Sequence, residues 1–377
     1  MTDKDSPKWQ EIFAKLQKDL RDGVYAQGEP LPSEGALMRK YNVSRITAVR
    51  AMNELVKKGL VYRKRGAGTF PTRMARIESG RLGLIVPSLS HGEIFPPICQ
   101  ALMRFAQKDG FSFVFGDTPS DNPVLRAKEA CDVARSLVNQ GVSGVIFQPL
   151  AFLKTPERVT KEIMTLFHKA GIPVVLVDRD VAMRDMPHDF VSIDNFGAGR
   201  AIGEHLLDCG AKRICFLMRP NCASVIRARL EGLQSALGEV GRKDRIIVAK
   251  PDDTAALRPW FSRRSRPDAV VCESDYVAAQ FRNTLLKFKL SVPEDVMLVG
   301  FDDVRCAVSA TPPLTTVHQP CEDIAMMAYR SLRERIVEPD IVSRRILLDA
   351  PLVVRESTLR RGDQNKNFDR KTRSPKS

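Results

Sequence analysis

The sequence predicts an α/β protein in two unequal parts: a small helical head closed by a hairpin, and a larger body built on two doubly wound parallel sheets. Two observations predict it. Apolar residues recur at spacings of three and four over the first 55 or so positions, as on helix faces packed against one another. From residue 82 the pattern changes to short, wholly apolar runs that alternate with helical stretches, as in parallel sheets covered on both faces. A chain of 377 residues has room for two or three domains with a sizeable core.

Trp9, Ile12, Phe13, Leu16, Leu20 and Val24 lie on one face of a first helix, which Gly28 and Pro30 break. Ser33 is placed to cap a second helix, with Glu34 in its first turn facing the positive end of the dipole, and Leu37, Met38 and Tyr41 on its inner face. Asn42-Val43 makes a turn. Ser44 caps a third helix with Ala48, Ala51, Met52 and Leu55 inside, and Gly59 stands where a left-handed residue ends it. Leu60-Val-Tyr62 and Thr69-Phe70 flank Gly66-Ala-Gly68 as a short hairpin. Residues 71–81 read as a linker. Apolar strands follow at 82–87, 111–115, 143–147, 173–178, 190–193, 213–218, 245–249, 268–272 and 296–301, with helices between most of them, for example 95–109, 124–140, 195–208 and 275–288. Nine such strands exceed one small sheet and imply two lobes.

Charge is unevenly spread along the chain. Residues 1–80 hold 16 Lys/Arg against 9 Asp/Glu, residues 81–359 hold 36 against 34, and residues 360–377 hold 7 against 2. Most of the net +14 therefore sits at the two ends. Basic ends also serve solubility, but a basic head on a neutral body is the electrostatic footprint of a nucleic-acid reader. The eight cysteines are scattered, without C-x-x-C or zinc-ligand spacing, and several lie in apolar runs, so buried reduced thiols are expected. No run approaches the ~20 apolar residues of a membrane helix, and Met1-Thr-Asp-Lys-Asp5 carries no apolar signal region. A cytoplasmic protein without cofactor or metal is expected.

Chemistry is concentrated in two places. On a helix capped at Ser44, the exposed N-terminal positions are Arg45, Ile46, Thr47 and Arg50; Arg bonds guanine, Ser and Thr reach phosphate or base, and the helix start attracts phosphate. Lys64 and Arg65 crown the hairpin, where Gly66 and Gly68 let the main chain approach a backbone or groove. A protein-contact bundle is the plainer alternative, disfavoured by the row Arg63-Lys-Arg65 beside a helix that opens with Arg. The second place is the carboxyl ends of the body strands, where ligands of open parallel sheets bind. Asp178-Arg179, Ser274-Asp275 and Asp302-Asp303 fall there, with Arg229 in a helix. Each Asp alone would suit a cap or turn; three strand ends together suit a polyhydroxylated ligand.

Residues 8–71 resemble the winged helix-turn-helix of the gluconate-repressor (GntR) family of bacterial transcription regulators. Leu31-Pro-Ser-Glu34, Leu37, Tyr41, Val43-Ser-Arg45, Thr47, Leu55, Gly59 and Gly66-x-Gly-Thr-Phe70 carry the resemblance. It implies DNA contacts at Ser33, Ser44, Arg45, Thr47, Arg50, Lys64, Arg65, Gly66 and Gly68. Gly35 and Val49 stand where that family has Arg, which shifts the expected specificity onto Arg45, Thr47, Arg50 and the hairpin. Residues 81–358 are similar to the effector domain of the lac-repressor family, which shares its fold with periplasmic sugar-binding proteins. Val177-Asp-Arg179, Ser192-Ile-Asp-Asn195, Arg229-Leu-Glu-Gly232, Val299-Gly-Phe-Asp-Asp303, Pro312-Pro-Leu-Thr-Thr316, Gln319 and Leu352-Val-Val-Arg-Glu-Ser357 carry that likeness. It implies effector contacts at Phe95, Asp178, Arg229, Ser274, Asp302 and Gln319, to which the strand-end position adds Arg179, with Ser274 in place of a frequent Asn and Asn195 as a hinge support.

The organisation expected is a winged helix-turn-helix at 1–72, a linker at 73–80, a two-lobed periplasmic-binding-protein-like effector domain at 81–359 and a disordered basic tail at 360–377. The lobes are expected at about 81–190 with 319–340, and 191–318 with 341–359. The resemblances imply a dimeric repressor that binds double-stranded operator DNA and is switched by a small sugar effector. The alternatives are a sugar-binding protein without a DNA role and a purine-responsive repressor. An enzyme is not expected: G-x-S-x-G, H-E-x-x-H and Walker motifs are absent, and Gly197-Ala-Gly199 lacks the third glycine of a dinucleotide fingerprint.

Overall fold

The computed structural model describes residues 7–360, apart from 27, 73–79, 88–93, 119, 121, 152, 154, 182, 184, 185, 239–244 and 262–265 and the side chain of Arg21. The expected linker, except for Gly80, and the expected tail, except for Arg360, lie outside the described residues.

In the head, α1 (Lys8–Arg21), α2 (Glu34–Tyr41) and α3 (Arg45–Lys57) close around Ile12, Leu16, Leu20, Leu37, Ala48, Ala51, Met52 and Leu55. Both later helices begin at a serine cap. Ser33 Oγ accepts from the Ala36 N–H at 3.2 Å, and Ser44 Oγ from the Thr47 N–H at 3.3 Å. Asn42 takes the left-handed conformation (φ 49°) that turns α2 into α3. The first helix is shorter than its apolar spacing suggests: it ends at Arg21, Gly23 turns the chain, and Val24 is exposed. β1 (Val61–Lys64) and β2 (Gly68–Pro71) form the antiparallel hairpin, with Lys64 opposite Gly68 at its tip.

The body follows as β3 (Arg81–Ile85), α4 (Phe95–Lys108), β4 (Ser112–Gly116), α5 (Pro123–Asn139), β5 (Val145–Phe147), α6 (Pro156–Lys169), β6 (Val174–Val177), β7 (Asp189–Ile193), α7 (Asn195–Asp208), β8 (Ile214–Met218), α8 (Ser224–Leu237), β9 (Ile246–Val248), α9 (Thr254–Leu257), β10 (Ala269–Cys272), α10 (Asp275–Lys287), β11 (Met297–Val299), α11 (Arg305–Ser309), β12 (Thr316–Val317), α12 (Cys321–Val337), β13 (Arg345–Leu348) and β14 (Leu352–Val353). Two parallel sheets result, one in the order β13-β7-β6-β5-β3-β4 and one in the order β11-β10-β8-β9. The strands β5, β6, β7, β10 and β11 are buried along their whole length, which accounts for their unbroken apolar runs.

The lobe boundaries differ from those expected. All of β7, to Ile193, belongs to the first sheet, and so does β13, which the sequence places with residues 341–359 in the second lobe. The reason is backbone pairing. β7 hydrogen-bonds to β6 on one side and β13 on the other, so a cut at residue 190 would split a fully buried strand. Alternation reveals that a strand is buried, not which sheet it joins. The chain crosses between lobes after Ile193, between β12 and α12, and between β13 and β14; β12 and β14 form a small antiparallel ribbon. The eight cysteines are free thiols.

Candidate functional site

Two sites follow from this architecture, one at the tip of the head and one between the lobes.

On the head, the start of α3 is held by a hydroxyl pair: Ser44 Oγ lies 2.9 Å from Thr47 Oγ1. Both side chains are thereby committed to shaping the helix start, while Arg45 and Ile46 stand free of the core, Ile46 being 81% exposed. An open groove along this face is lined by Arg45, Ile46, Val49, Arg50, Asn53 and Glu54. Asn53 had not been singled out from the sequence, although its spacing from Val49 and Arg50 places it on the same face. Arg50 is partly diverted: its guanidinium stacks 4.4 Å from the centre of the Trp9 ring, which ties α3 to α1. Ser33 likewise serves as a cap of α2. Lys64, Arg65, Gly66 and Gly68 are exposed at the hairpin, with Gly66 (φ 75°) and Gly68 (φ 125°) in backbone conformations that favour glycine. The hairpin is set against the helices by the Arg63–Glu34 ion pair (3.3 Å) and by the Leu31 N–H, which donates to the Thr69 carbonyl at 2.7 Å.

Between the lobes, the carboxyl ends of β5, β6 and β7 meet the start of α7, the middle of α8 and the segment after β11 in one row of hydrogen bonds and ion pairs. Gln148 Nε2 donates to Asp178 Oδ2 at 2.9 Å. Ser192 Oγ donates to the Asp178 carbonyl at 3.0 Å and accepts from Asn195 Nδ2 at 3.4 Å, which also donates to the Ile193 carbonyl at 3.1 Å. Asn195 Oδ1 in turn accepts from Arg229 Nε at 2.8 Å. A second guanidinium nitrogen of Arg229 donates to the Glu273 carbonyl at 2.7 Å, and a third lies 3.8 Å from Asp302 Oδ1. Gln319 Nε2 closes the row on Asp302 Oδ1 at 2.8 Å. Arg229 is 5% exposed, and its guanidinium lies 3.5 Å from the centre of the Phe301 ring.

The structure thus gathers Asp178, Arg179, Arg229, Asp302 and Gln319 from the predicted set. Arg179 donates to the Pro149 carbonyl at 3.0 Å and lies 3.3 Å from Asp178. Phe95 is the first residue of α4, 4% exposed in the large core that spans both lobes. Ser274 is used differently: its hydroxyl caps α10 by accepting from the Val277 N–H at 3.3 Å. Gln148, Glu273 and Arg219 also line this centre without being marked in the sequence, and Ser192, part of the family pattern there, is a contact of the Asp178 main chain. Glu273 is 1% exposed and accepts from both the side chain and the backbone N–H of Arg219. A Gln after an apolar strand carries the same positional signal as Asp178, but no charge to mark it.

Burial sets the acidity of the centre. It raises Asp302 to about 6, against the opposing pull of Arg229 and of the Gln319 hydrogen bond. It raises Asp275 to about 8, with the charge of Asp302 adding to the rise; Asp275 accepts from Thr316 Oγ1 at 2.7 Å and from the Val304 N–H at 3.0 Å. Burial lowers Arg229 and Arg179, each supported by a nearby carboxylate. Carboxylates, a buried guanidinium and amides fixed at known spacing offer donors and acceptors to a polar ligand with several hydroxyls. Among the described residues no group of three or more His, Cys, Asp or Glu is placed to hold a metal ion, and no helix is long and apolar enough to cross a membrane.

A winged helical head joined to a two-lobed body with a polar centre between the lobes defines a class: DNA-binding regulators switched by a ligand. Comparison with known proteins gives the same assignment. Residues 8–70 match the bacterial regulatory proteins of the gntR family, and residues 204–358 match the periplasmic binding protein-like domain. The chain is therefore a transcription regulator with a gntR-type head and a periplasmic-binding-protein-like body. It is 27% identical to the arabinose metabolism transcriptional repressor of Halalkalibacterium halodurans, over 93% of this chain and 96% of that one. It is 26% identical to the ribose operon repressor of Escherichia coli, over 76% and 86%. A solved structure of the transcriptional regulator CelR with cellobiose covers 93% of this chain and 100% of its own, at 25% identity and a TM-score of 0.64.

Proposed function

We propose that the chain is a cytoplasmic, dimeric repressor that releases operator DNA when a sugar enters the cleft between its lobes. The observation that carries this reading is the row of polar contacts from Gln148 and Asp178 through Ser192, Asn195 and Arg229 to Asp302 and Gln319, hydrogen-bonded throughout except where the Arg229–Asp302 ion pair (3.8 Å) completes it. Such a ring of fixed donors and acceptors matches vicinal hydroxyls, and the names of the similar proteins (arabinose, ribose and cellobiose) point to the same ligand class. Asp178, Arg179, Arg229, Asp302 and Gln319 would contact the ligand, with Phe95 against its apolar face; Ser274 contributes through the start of α10. Arg45, Ile46, Asn53, Lys64 and Arg65 would contact DNA, while Ser33, Ser44, Thr47 and Arg50 shape the reading surface, and Gly66 and Gly68 let the hairpin approach. Paired heads would read two half-sites roughly one helical turn apart. The chain works as a binding switch, not as a catalyst, and a ligand that binds the two lobe arrangements unequally shifts the population of the DNA-binding one.

A thermal-shift screen of monosaccharides, disaccharides, sugar phosphates and nucleobases tests this. A sugar should stabilise the chain and lower its affinity for a DNA duplex selected by the protein itself. Stabilisation by nucleobases alone would transfer the site to a purine-type ligand.

A further inference from the structure

The head is joined to the body by more than its linker. Arg333, near the end of α12, donates one terminal nitrogen to the carbonyl of Lys58 at 2.7 Å. Lys58 is the C-cap of α3, the helix that presents Arg45 and Ile46. A second terminal nitrogen of Arg333 donates to Asp109 Oδ2 at 2.6 Å, and the Tyr329 hydroxyl donates to the same oxygen at 2.9 Å. Asp109 is the C-cap of α4. The ends of α3 and α4 and the last turns of α12 therefore meet in one polar knot, whose Arg333 and Asp109 side chains are only 21% and 25% exposed. A cation at a helix C-terminus also answers the unpaired carbonyls and the negative end of the dipole. Leu60, two residues beyond Lys58, packs against the head core and the body core alike. Thr72 fastens the exit of the hairpin to the same place, donating from its N–H to Leu60 O at 2.9 Å and from its hydroxyl to Gly59 O at 2.7 Å.

The opposite end of α12 reaches the centre between the lobes. α4 starts at Phe95, and α12 starts two residues after Gln319, which is bonded to Asp302. The two helices are tied along their length by the Phe105–Tyr329 stack (centroids 6.4 Å apart) and by the Arg104–Glu322 pair at 2.9 Å. A helix of 17 residues spans about 25 Å. A paired unit of that length, with one end on Asp302 and the other on the end of α3, moves both ends together.

We infer that Arg333 is a positioning residue for DNA binding, which transmits the state of the interlobe centre to the orientation of α3 through the α4–α12 pair. The inference rests on the centre being the input site, as proposed above.

The test uses the full chain with Arg333→Ala, Arg333→Lys and the cleft variant Asp302→Asn, and it needs no effector. Hydrogen exchange is read at the amides of residues 58–62, 70 and 72. Arg333→Ala should speed their exchange by about 10-fold or more while β5 and β6 keep their protection, with Arg333→Lys intermediate. Asp302→Asn should alter exchange at 58–62 in the wild-type background and leave it unaltered when combined with Arg333→Ala. Affinity for a selected duplex should change several-fold in Arg333→Ala at an unchanged salt slope, because orientation is lost and no phosphate contact is. Unchanged exchange at 58–62 in Arg333→Ala, an Asp302→Asn effect that survives without Arg333, or a salt slope reduced by about one would each overturn the inference. A failure of every sugar to stabilise the chain would count against the effector reading and leave these outcomes as they stand.

Discussion

Arg335 donates to Asp189 at 2.5 Å, with the two side chains 1% and 0% exposed. Asp189 opens β7, and its carboxylate also accepts from the Arg344 side chain at 2.7 Å and from the Arg344 N–H at 2.8 Å. One carboxylate thus ties the end of α12 to the two strands at the edge of the first sheet. Removing it by Asp189→Ala leaves the Arg335 guanidinium buried without its counter-charge, which costs about 3–5 kcal/mol. Urea unfolding should show the loss; a midpoint equal to that of the wild type would mean that Arg335 relaxes into water.

The same carboxylate gives a pH dependence of known sign. Burial works to raise Asp189, but the hydrogen bonds from Arg344 and Arg335 outweigh it and hold the group below the ordinary carboxylate value. A depressed value means that the stabilisation is complete above the unfolded value of about 4 and is lost as pH falls through the lower folded value. Acid unfolding should therefore begin below about pH 4, and Asp189→Asn should flatten that limb of the stability curve.

Asp302 behaves in the opposite way. Its folded value of about 6 lies above the unfolded one, so its contribution to stability is full below about pH 4 and falls as pH rises towards 6. Its capacity to accept two hydrogen bonds from a ligand rises over the same window. Binding of a stabilising sugar, followed by calorimetry, should strengthen from pH 5 to 7 with a midpoint near 6, and Asp302→Asn should remove the midpoint. A binding curve flat over that range in the wild type would remove Asp302 from the ligand contacts.

At the head, charge and shape should separate. Lys64→Ala should weaken binding to all duplexes and reduce the salt slope by about one. Ile46→Ala removes an exposed apolar side chain suited to a thymine methyl, so it should relax sequence preference and leave the slope alone. Anisotropy titrations against matched and mismatched duplexes at several salt concentrations distinguish the two effects. An Ile46→Ala variant with unaltered preference would place that residue outside the interface.

Much of this fold was legible in the sequence because it rests on local rules. The caps Ser33 and Ser44, the turn at Asn42 and the apolar strands were each marked by residues within a few positions of one another. The partition between lobes was not, since β7 and β13 are assigned by backbone pairing between segments about 150 residues apart. In the centre, charged strand-end residues such as Asp178 and Asp302 announced themselves, whereas Gln148 and Ser192 acquire a role only when Asp178 is beside them. Ser274 shows the converse: the position was marked, but the hydroxyl is occupied by the helix it caps.

Gly199 and Gly232 show what a motif search cannot see. Gly197-x-Gly199 is an incomplete nucleotide fingerprint, and its second glycine has another use: a Cβ there would meet the Arg229 carbonyl oxygen at 2.0 Å, and one at Gly232 would meet the Phe196 carbonyl oxygen at 1.9 Å. α7 and α8 therefore cross with their backbones in contact, and this crossing brings Arg229 of α8 within 2.8 Å of Asn195 at the start of α7. Gly232→Ala must push the two helices apart, because the obstacle is backbone. Overpacking of this kind costs about 1–3 kcal/mol, and the shift should also weaken sugar binding by withdrawing Arg229. Gly203→Ala, whose nearest obstacle is the Ala236 methyl at 2.6 Å, overlaps less and lies a turn further from Arg229, so it should cost less in both stability and sugar binding. Urea midpoints and sugar-induced thermal shifts, measured on both variants, test the ordering. Equal losses in the two, or full sugar binding by Gly232→Ala, would separate the helix crossing from the ligand site.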